Sequence, residues 1–349
     1  MLTKMMLGVA AVATTAAVSL SGGPSWHITK RVSGGSFAEF TAIVATGSNG
    51  GWAFDGQSGA TAWERNGSTW TKMPFPSKSS EEITAAAASS ASNVWAFTGN
   101  GFGGKSRALH WNGTSWSVAG SLPRAVGSAV VFSPTNVWAF GQPYQPIAQL
   151  GAWHYNGHSW SAVAGGQGLG GGSAVSTSSI WAYAGTNVVH WNGSSWTRTS
   201  VVHLLPAKNS NNFPQVTAVY AVAANNVYAI GSGNYGDGGG PTVVLHYNGS
   251  GWSRVGSGNY GTTAETGQAI CSDGHGGLWL PVPGADGDLS YLLHYSGGHL
   301  TNVPFSPAKL DLLAISRIPG STSVLAAGYA HPPNNPGINP TAVIAEYGS

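Results

Sequence analysis

The side chains that could do chemistry in this chain are few. Asp and Glu total 12, Lys and Arg 14, and Cys271 is the only cysteine in 349 residues. Asp237, Glu265, Asp286 and Asp288 all fall in glycine-rich segments of the C-terminal half. Two carboxylates about 5–10 Å apart across a cleft would serve glycoside hydrolysis, and these four are the acids from which such a pair could come. No Gly-x-Ser-x-Gly elbow and no His-Glu-x-x-His pair occurs, so serine-hydrolase and zinc-protease chemistry lack their templates. Asp286-Gly287-Asp288 is too short for a calcium loop, which needs more oxygen ligands at set spacing. A lone cysteine builds neither a disulfide frame nor a thiolate metal cluster. The expectation is a binding module with no catalytic residues, no metal and no cofactor.

One phrase points to a ligand class. Gly231-Ser232-Gly233-Asn234-Tyr235-Gly236 recurs as Gly256-Ser257-Gly258-Asn259-Tyr260-Gly261. A tyrosine ring can stack on a pyranose while Asn and carboxylates fix hydroxyls. The candidate site is therefore Asn234, Tyr235, Asp237, Asn259, Tyr260, Glu265, Asp286 and Asp288, with a glycan or cell-envelope polymer as partner. The same phrase is also ordinary flexible turn sequence. A polysaccharide hydrolase or lyase, and a protein-interaction or structural ring, are the competing classes. Clustered acids would favour the enzyme, exposed tyrosines beside a shallow cup the lectin, and a broad apolar patch the protein partner.

Histidines form a second set: His110, His154, His190, His246 and His294 share one position of a repeat, with Glu64 and Glu346 holding it in the first and last copies. A group on every third strand stands away from a common axis, so these side chains cannot converge on one metal or substrate. They are expected to satisfy hydrogen bonds between neighbouring repeats, which become the blades derived below, or in turns.

The repeat that positions these residues has two halves. Asn93-Val94-Trp95-Ala96-Phe97 returns as Asn136-Val137-Trp138-Ala139-Phe140 and Ser179-Ile180-Trp181-Ala182-Tyr183, with more divergent copies around Trp52, Tyr228, Trp279 and Leu325. The second half, His110-Trp111-Asn112-Gly113-Thr114-Ser115-Trp116, returns around His154, His190, His246 and His294. Trp52, Trp95, Trp138 and Trp181 recur every 43 residues. Asn-Gly between aromatic runs predicts type I′ hairpins, and it also accounts for the Asn-Gly-Ser/Thr sequons at Asn66, Asn112, Asn192 and Asn248. The second copy then supplies strands at about Glu82–Ser89, Val94–Thr98, Arg107–Trp111 and Ser115–Ala119. Four strands at a period of about 40–50 residues is the signature of a β-propeller, whose blades must stack to bury both faces.

The last copy ends at Ser349 without a fourth strand, and Gly22-Gly23-Pro24-Ser25-Trp26 matches the missing piece. The fold class expected is all-β, a seven-bladed β-propeller whose N-terminal strand closes the last blade, with six or eight blades as alternatives. Closure of this kind leaves no open sheet edge. First-to-second and third-to-fourth turns share one face and are short. Second-to-third loops and inter-blade connectors share the other, vary widely, and carry the candidate site, as recognition loops on a rigid scaffold do.

These phrases resemble those of secreted bacterial β-propeller repeat proteins over nearly all of residues 22–349. The spacing is broadly similar to kelch and WD propellers, without the paired glycines of the one or the Trp-Asp ending of the other. It is also similar to that of bacterial propeller lectins, which implies glycan binding but assigns no contact residue here. Ser272-Asp273-Gly274-His275-Gly276 is similar to the Asp-box of sialidases but departs from its spacing, occurs once, and reads as a turn.

Composition agrees with an extracellular all-β chain. Only 7% of residues are charged, with Gly 52 and Trp 15, against roughly 25% charged in an average domain. A net charge of +2 makes no basic patch, which disfavours nucleic acid as a partner. Lys4, the apolar run Met5–Val18 and the small residues after it read as a signal peptide over residues 1–21, with one propeller domain over 22–349. That run is short for a membrane span of about 20 residues, so no stable insertion is expected after cleavage. The mature protein is expected to be a secreted monomer.

Overall fold

Each copy of the repeat folds as a four-stranded antiparallel sheet. The computed structural model describes residues 24–33, 38–56, 59–99, 104–142, 149–207, 214–233, 241–260, 269–282, 291–303, 310–331 and 340–348. In blade two the strands are Glu82–Ser90, Asn93–Gly99, Ser106–Trp111 and Trp116–Leu122, paired in chain order from the axis outward. The innermost strands of the seven blades are Phe40–Ala45, Glu82–Ser90, Val126–Ser133, Gly170–Ser176, Gln215–Ala223, Cys271–Ser272 and Leu310–Arg317. Each touches the next, and the seventh touches the first. The fold is a seven-bladed β-propeller. Because these strands converge on the axis, they carry small residues such as the Ala85–Ala88 run, which has little intrinsic strand preference.

Blade seven shows why the ring stays shut. Its order is Ser25–Ser33, Thr341–Gly348, Val324–Ala330, Leu310–Arg317, so the N-terminal strand is the outermost of the last sheet. Trp26 pairs with Tyr347, and its ring meets Tyr347 at 5.4 Å and, edge-on, Trp279 of blade six at 5.5 Å.

Between blades the large aromatics interlock in one recurring way. The second-strand Trp of a blade receives the third- and fourth-strand aromatics of the next. Trp52 meets Trp111 and Trp116, Trp95 meets Tyr155 and Trp160, Trp138 meets Trp191 and Trp196, and Trp181 meets Tyr247 and Trp252. Ring centroids lie between 4.8 and 6.1 Å, within the range where tilted and edge-on pairs attract. The seam between blades seven and one departs from this pattern. Leu325 stands in the Trp place and Arg65 in the facing aromatic place. Arg65 is 7% exposed and holds Glu346 of blade seven through both carboxylate oxygens, at 2.8 and 3.1 Å, while its other terminal nitrogen donates to the Ser48 carbonyl. Where the two ends of the chain meet, an ion pair takes the place of the third-strand aromatic, while the fourth-strand Trp70 stays buried in one cluster with Leu325.

The Asn-Gly turns differ from the type I′ expectation. Trp111 pairs directly with Trp116, so the loop is the four residues Asn112–Ser115. Asn112 Oδ1 accepts the Thr114 and Ser115 N–H groups at 3.0 Å, and Gly113 sits at φ +96°. The loops at Asn156, Asn192 and Asn248 repeat this arrangement. An asparagine that satisfies two backbone donors makes the wider loop stable, so the tight turn is not needed. The two-residue turn with both residues at positive φ occurs instead in blade six, at Gly297 and Gly298.

Candidate functional site

The histidine row is structural, and the bonds run within each blade rather than between blades or into turns. Each histidine pairs across the sheet with the second-strand aromatic, as His110 does with Trp95 and His294 with Trp279. The rings stack at 4.5 Å in the first pair and 4.2 Å in the second. Nε2 then meets the residue that opens the second strand: Asn93 at 2.8 Å, Asn136 at 2.9 Å, Ser179 at 3.2 Å and Asn226 at 2.9 Å. Burial lowers the pKa of His110, His154, His190 and His246, so these rings are neutral across the physiological range.

In blade six an aspartate takes the asparagine place. Asp273 Oδ2 meets His294 Nε2 at 2.8 Å, and Oδ1 accepts the N–H groups of His275 and Gly277. Burial alone would raise the Asp273 carboxyl, but those backbone donors and the His294 ring outweigh it and hold it below its usual value. This is the turn expected from Ser272–Gly276, organised by its own aspartate.

Of the candidate sugar site, Asn234, Tyr235, Asp237, Glu265, Asp286 and Asp288 lie outside the described residues. Asn259 is exposed, while Tyr260 is half-buried, its ring over Gly258 and edge-on to Tyr291 at 5.3 Å. Several described acids are already engaged: Glu81 by Arg107, Glu346 by Arg65, Asp273 by His294, and Asp311 by His331 at 2.6 Å. Among the described residues no three His, Cys, Asp or Glu side chains come together to hold a metal.

What the sequence did not point to is the central channel, a cavity of about 450 Å³ walled by the innermost strands of all seven blades. Its wall is lopsided. Blades one to three give it Ile43, Val44, Ala86–Ala88 and Ala129–Val131, whereas blades four to seven add Ser173, Tyr220, Cys271, Ser316 and Arg317. The two serines are committed, each accepting a backbone N–H of the following blade at 3.0 Å, Ser173 from Ala221 and Ser316 from Ala45. Burial pushes the Cys271 thiol pKa up, so it is a neutral thiol. Burial also raises the Tyr220 phenol, with the Ser272 N–H and the Arg317 charge opposing it.

At the mouth on the short-turn face, the innermost strands of blades two to five each carry a bulge. The extra residues are Ser89, Phe132, Val175 and Val222. A bulge takes its residue out of the alternation and re-aims the side chain. Val175 and Val222 are therefore 37% and 43% exposed, two of the four large apolar side chains on the described surface. Phe132 is half-buried beside them. Across the mouth, Arg317 donates one N–H to the Ser321 carbonyl at 2.6 Å, and its guanidinium lies against Gly274 of blade six. It forms no ion pair among the described residues. The sequence signal was the consecutive apolar pairs Val131-Phe132, Ala174-Val175 and Ala221-Val222 just before a turn, where strict alternation fails.

No family model and no curated protein matches the chain. Solved structures of other propellers do match over nearly its whole length. YCF48 bound to D1 peptide is 13% identical, with 93% of this chain and 97% of that one covered at a TM-score of 0.57. U3-55K is 11% identical over 94% and 100%, with a TM-score of 0.61. The WD40 propeller domain of Doa1 is 11% identical over 91% and 96%, with a TM-score of 0.57. At such identities the likeness concerns the fold.

Proposed function

We propose that this chain is a secreted, non-catalytic interaction propeller that binds a peptide segment of another protein over the short-turn mouth of its channel. The observation that carries this reading is the apolar arc of bulge residues facing a guanidinium that forms no ion pair among the described residues. A solvated arc of this kind gains free energy when another apolar surface covers it. That the similar YCF48 structure contains a bound peptide supports a peptide as the class of partner.

The test is a peptide display library offered to the parent and to a Phe132→Ser/Val222→Ser variant, with a glycan array in parallel. Apolar peptides should be enriched on the parent and lost on the variant. The glycan reading draws its support from the duplicated Asn-Tyr-Gly phrase and from the exposure of Asn259 beside Tyr260. Array binding abolished by Tyr235→Ala/Tyr260→Ala would move the site to the variable-loop face and end the peptide reading. Secretion rests on residues 1–21 and on the resemblance to secreted bacterial propellers. N-terminal sequencing of exported protein should begin near residue 22, and a chain retained in the cell with Met1 intact would refute it.

A further inference from the structure

Resting on that peptide reading, we infer that the segment recognised is a chain end, an apolar peptide whose free C-terminal carboxylate is held by Arg317. The wall opposite the apolar arc supplies the charge. Arg317 closes the innermost strand of blade seven; its guanidinium is held by the Ser321 carbonyl and lies close against Gly274, where a Cβ would crowd it at 3.0–3.2 Å. Among the described residues one N–H is committed to that carbonyl, which leaves the remainder of a planar fork suited to a carboxylate. The nearest buried acid, Asp273, is already engaged by two backbone N–H groups and His294, so it does not compete for the fork. Phe132 and Val175 line the same cavity as Arg317, so one short peptide can place a carboxylate on the cation and apolar side chains on the arc.

Geometry selects the chain end over an internal acidic residue. The mouth is ringed by first-to-second turns, one from each blade, and a running segment would have to cross that rim twice. A terminus enters once.

The experiment uses the full mature chain and synthetic N-terminally tethered tetrapeptides of Leu, Val, Phe and Ala, each as free acid and as C-terminal amide, read by fluorescence anisotropy. The free acids should bind, and amidation should weaken them by about tenfold or more, as expected for losing one hydrogen-bonded charge pair. Arg317→Gln should remove the difference between acid and amide, and Arg317→Lys should restore part of it. Equal binding of acid and amide by the parent would overturn this inference and leave the peptide reading standing. Tighter binding of amidated peptides carrying an internal Asp or Glu would also overturn it. Binding of no peptide in any form would overturn both. The acid–amide comparison on the parent needs no variant to fold.

Discussion

Breaking the seam ion pair tests the reading of ring closure most directly. Arg65 and Glu346 have side chains 6% and 17% exposed, and they occupy the place where other blade interfaces interlock aromatics. Removing one member of a buried pair strands the other, at a cost of about 3–5 kcal/mol when burial is complete. Glu346→Gln leaves the more deeply buried guanidinium without a counter-charge, though with its bond to the Ser48 carbonyl, and should cost about 3 kcal/mol. Arg65→Met strands a carboxylate that retains some access to water, and about 1–2 kcal/mol is expected. For a chain of this size 1 kcal/mol moves the melting temperature by about 2 °C, so the two variants should fall by about 6 °C and 2–4 °C. The double variant Arg65→Met/Glu346→Gln removes both charges together, so neither is left without its partner. It should lie within about 1 kcal/mol of the parent, because a well-packed replacement of a buried ion pair is close to neutral. Differential scanning calorimetry on the four proteins closes the cycle. Additive single effects, with a double variant as unstable as their sum, would refute the idea that these two charges act as one unit.

Other consequences are independent of the seam. Deleting residues 24–33 strips the outer strand from blade seven and exposes Tyr347 and an open edge; a sharp fall in the melting temperature is expected, and an unchanged transition would contradict closure by this strand. His154→Gln should cost about 1 kcal/mol, the worth of one hydrogen bond, and leave peptide binding intact, with a binding titration as the check. His110, His154, His190 and His246 are each lowered from 6.5 by burial, so they bind fewer protons folded than unfolded. Their contribution is fully present above pH 6.5 and is lost as pH falls through their lowered values, whereas that of Asp273 persists until pH drops below its usual 3.8 and through its own lowered value. Denaturation midpoints measured from pH 8 to 3 should decline in those two stages, and a flat profile down to pH 4 would argue against buried neutral histidines. Asn112→Ala should cost about 1 kcal/mol by freeing two backbone donors, and Asn66→Ala less, since blade one turns on Gly67 and Ser68 alone; equal denaturant midpoints would refute the capping role.

Much of the fold was legible because a repeat writes the same physical requirement many times. Trp95, Trp138 and Trp181 at one spacing announce blades that bury aromatics between them, and the orphan phrase ending in Trp26 announces the strand that completes the ring. The structural role of the histidines was legible for the same reason: five of them at one register place cannot serve one site. Their partners were not, because Asn93 and His110 are 17 residues apart and meet only through the pairing of Trp95 with His110. The turn at Asn112 was misread because Asn-Gly suits both a tight turn and a wider loop, and the choice depends on whether Oδ1 reaches two backbone donors.

The channel mouth shows where local pattern stops informing. Phe132, Val175 and Val222 belong to three different blades, about 45 residues apart along the chain, and each alone reads as one more apolar strand residue. Only ring closure brings them to one rim, with Arg317 opposite. By itself the sequence determined the period, the blade and the need to close, since these follow from burying repeated aromatic faces, and the contact of the seventh innermost strand with the first fixed the count. Tertiary structure decided which residues are spared from that burial. Exposure at the axis depends on bulges and on neighbours contributed by other blades, and those are set by how seven sheets meet.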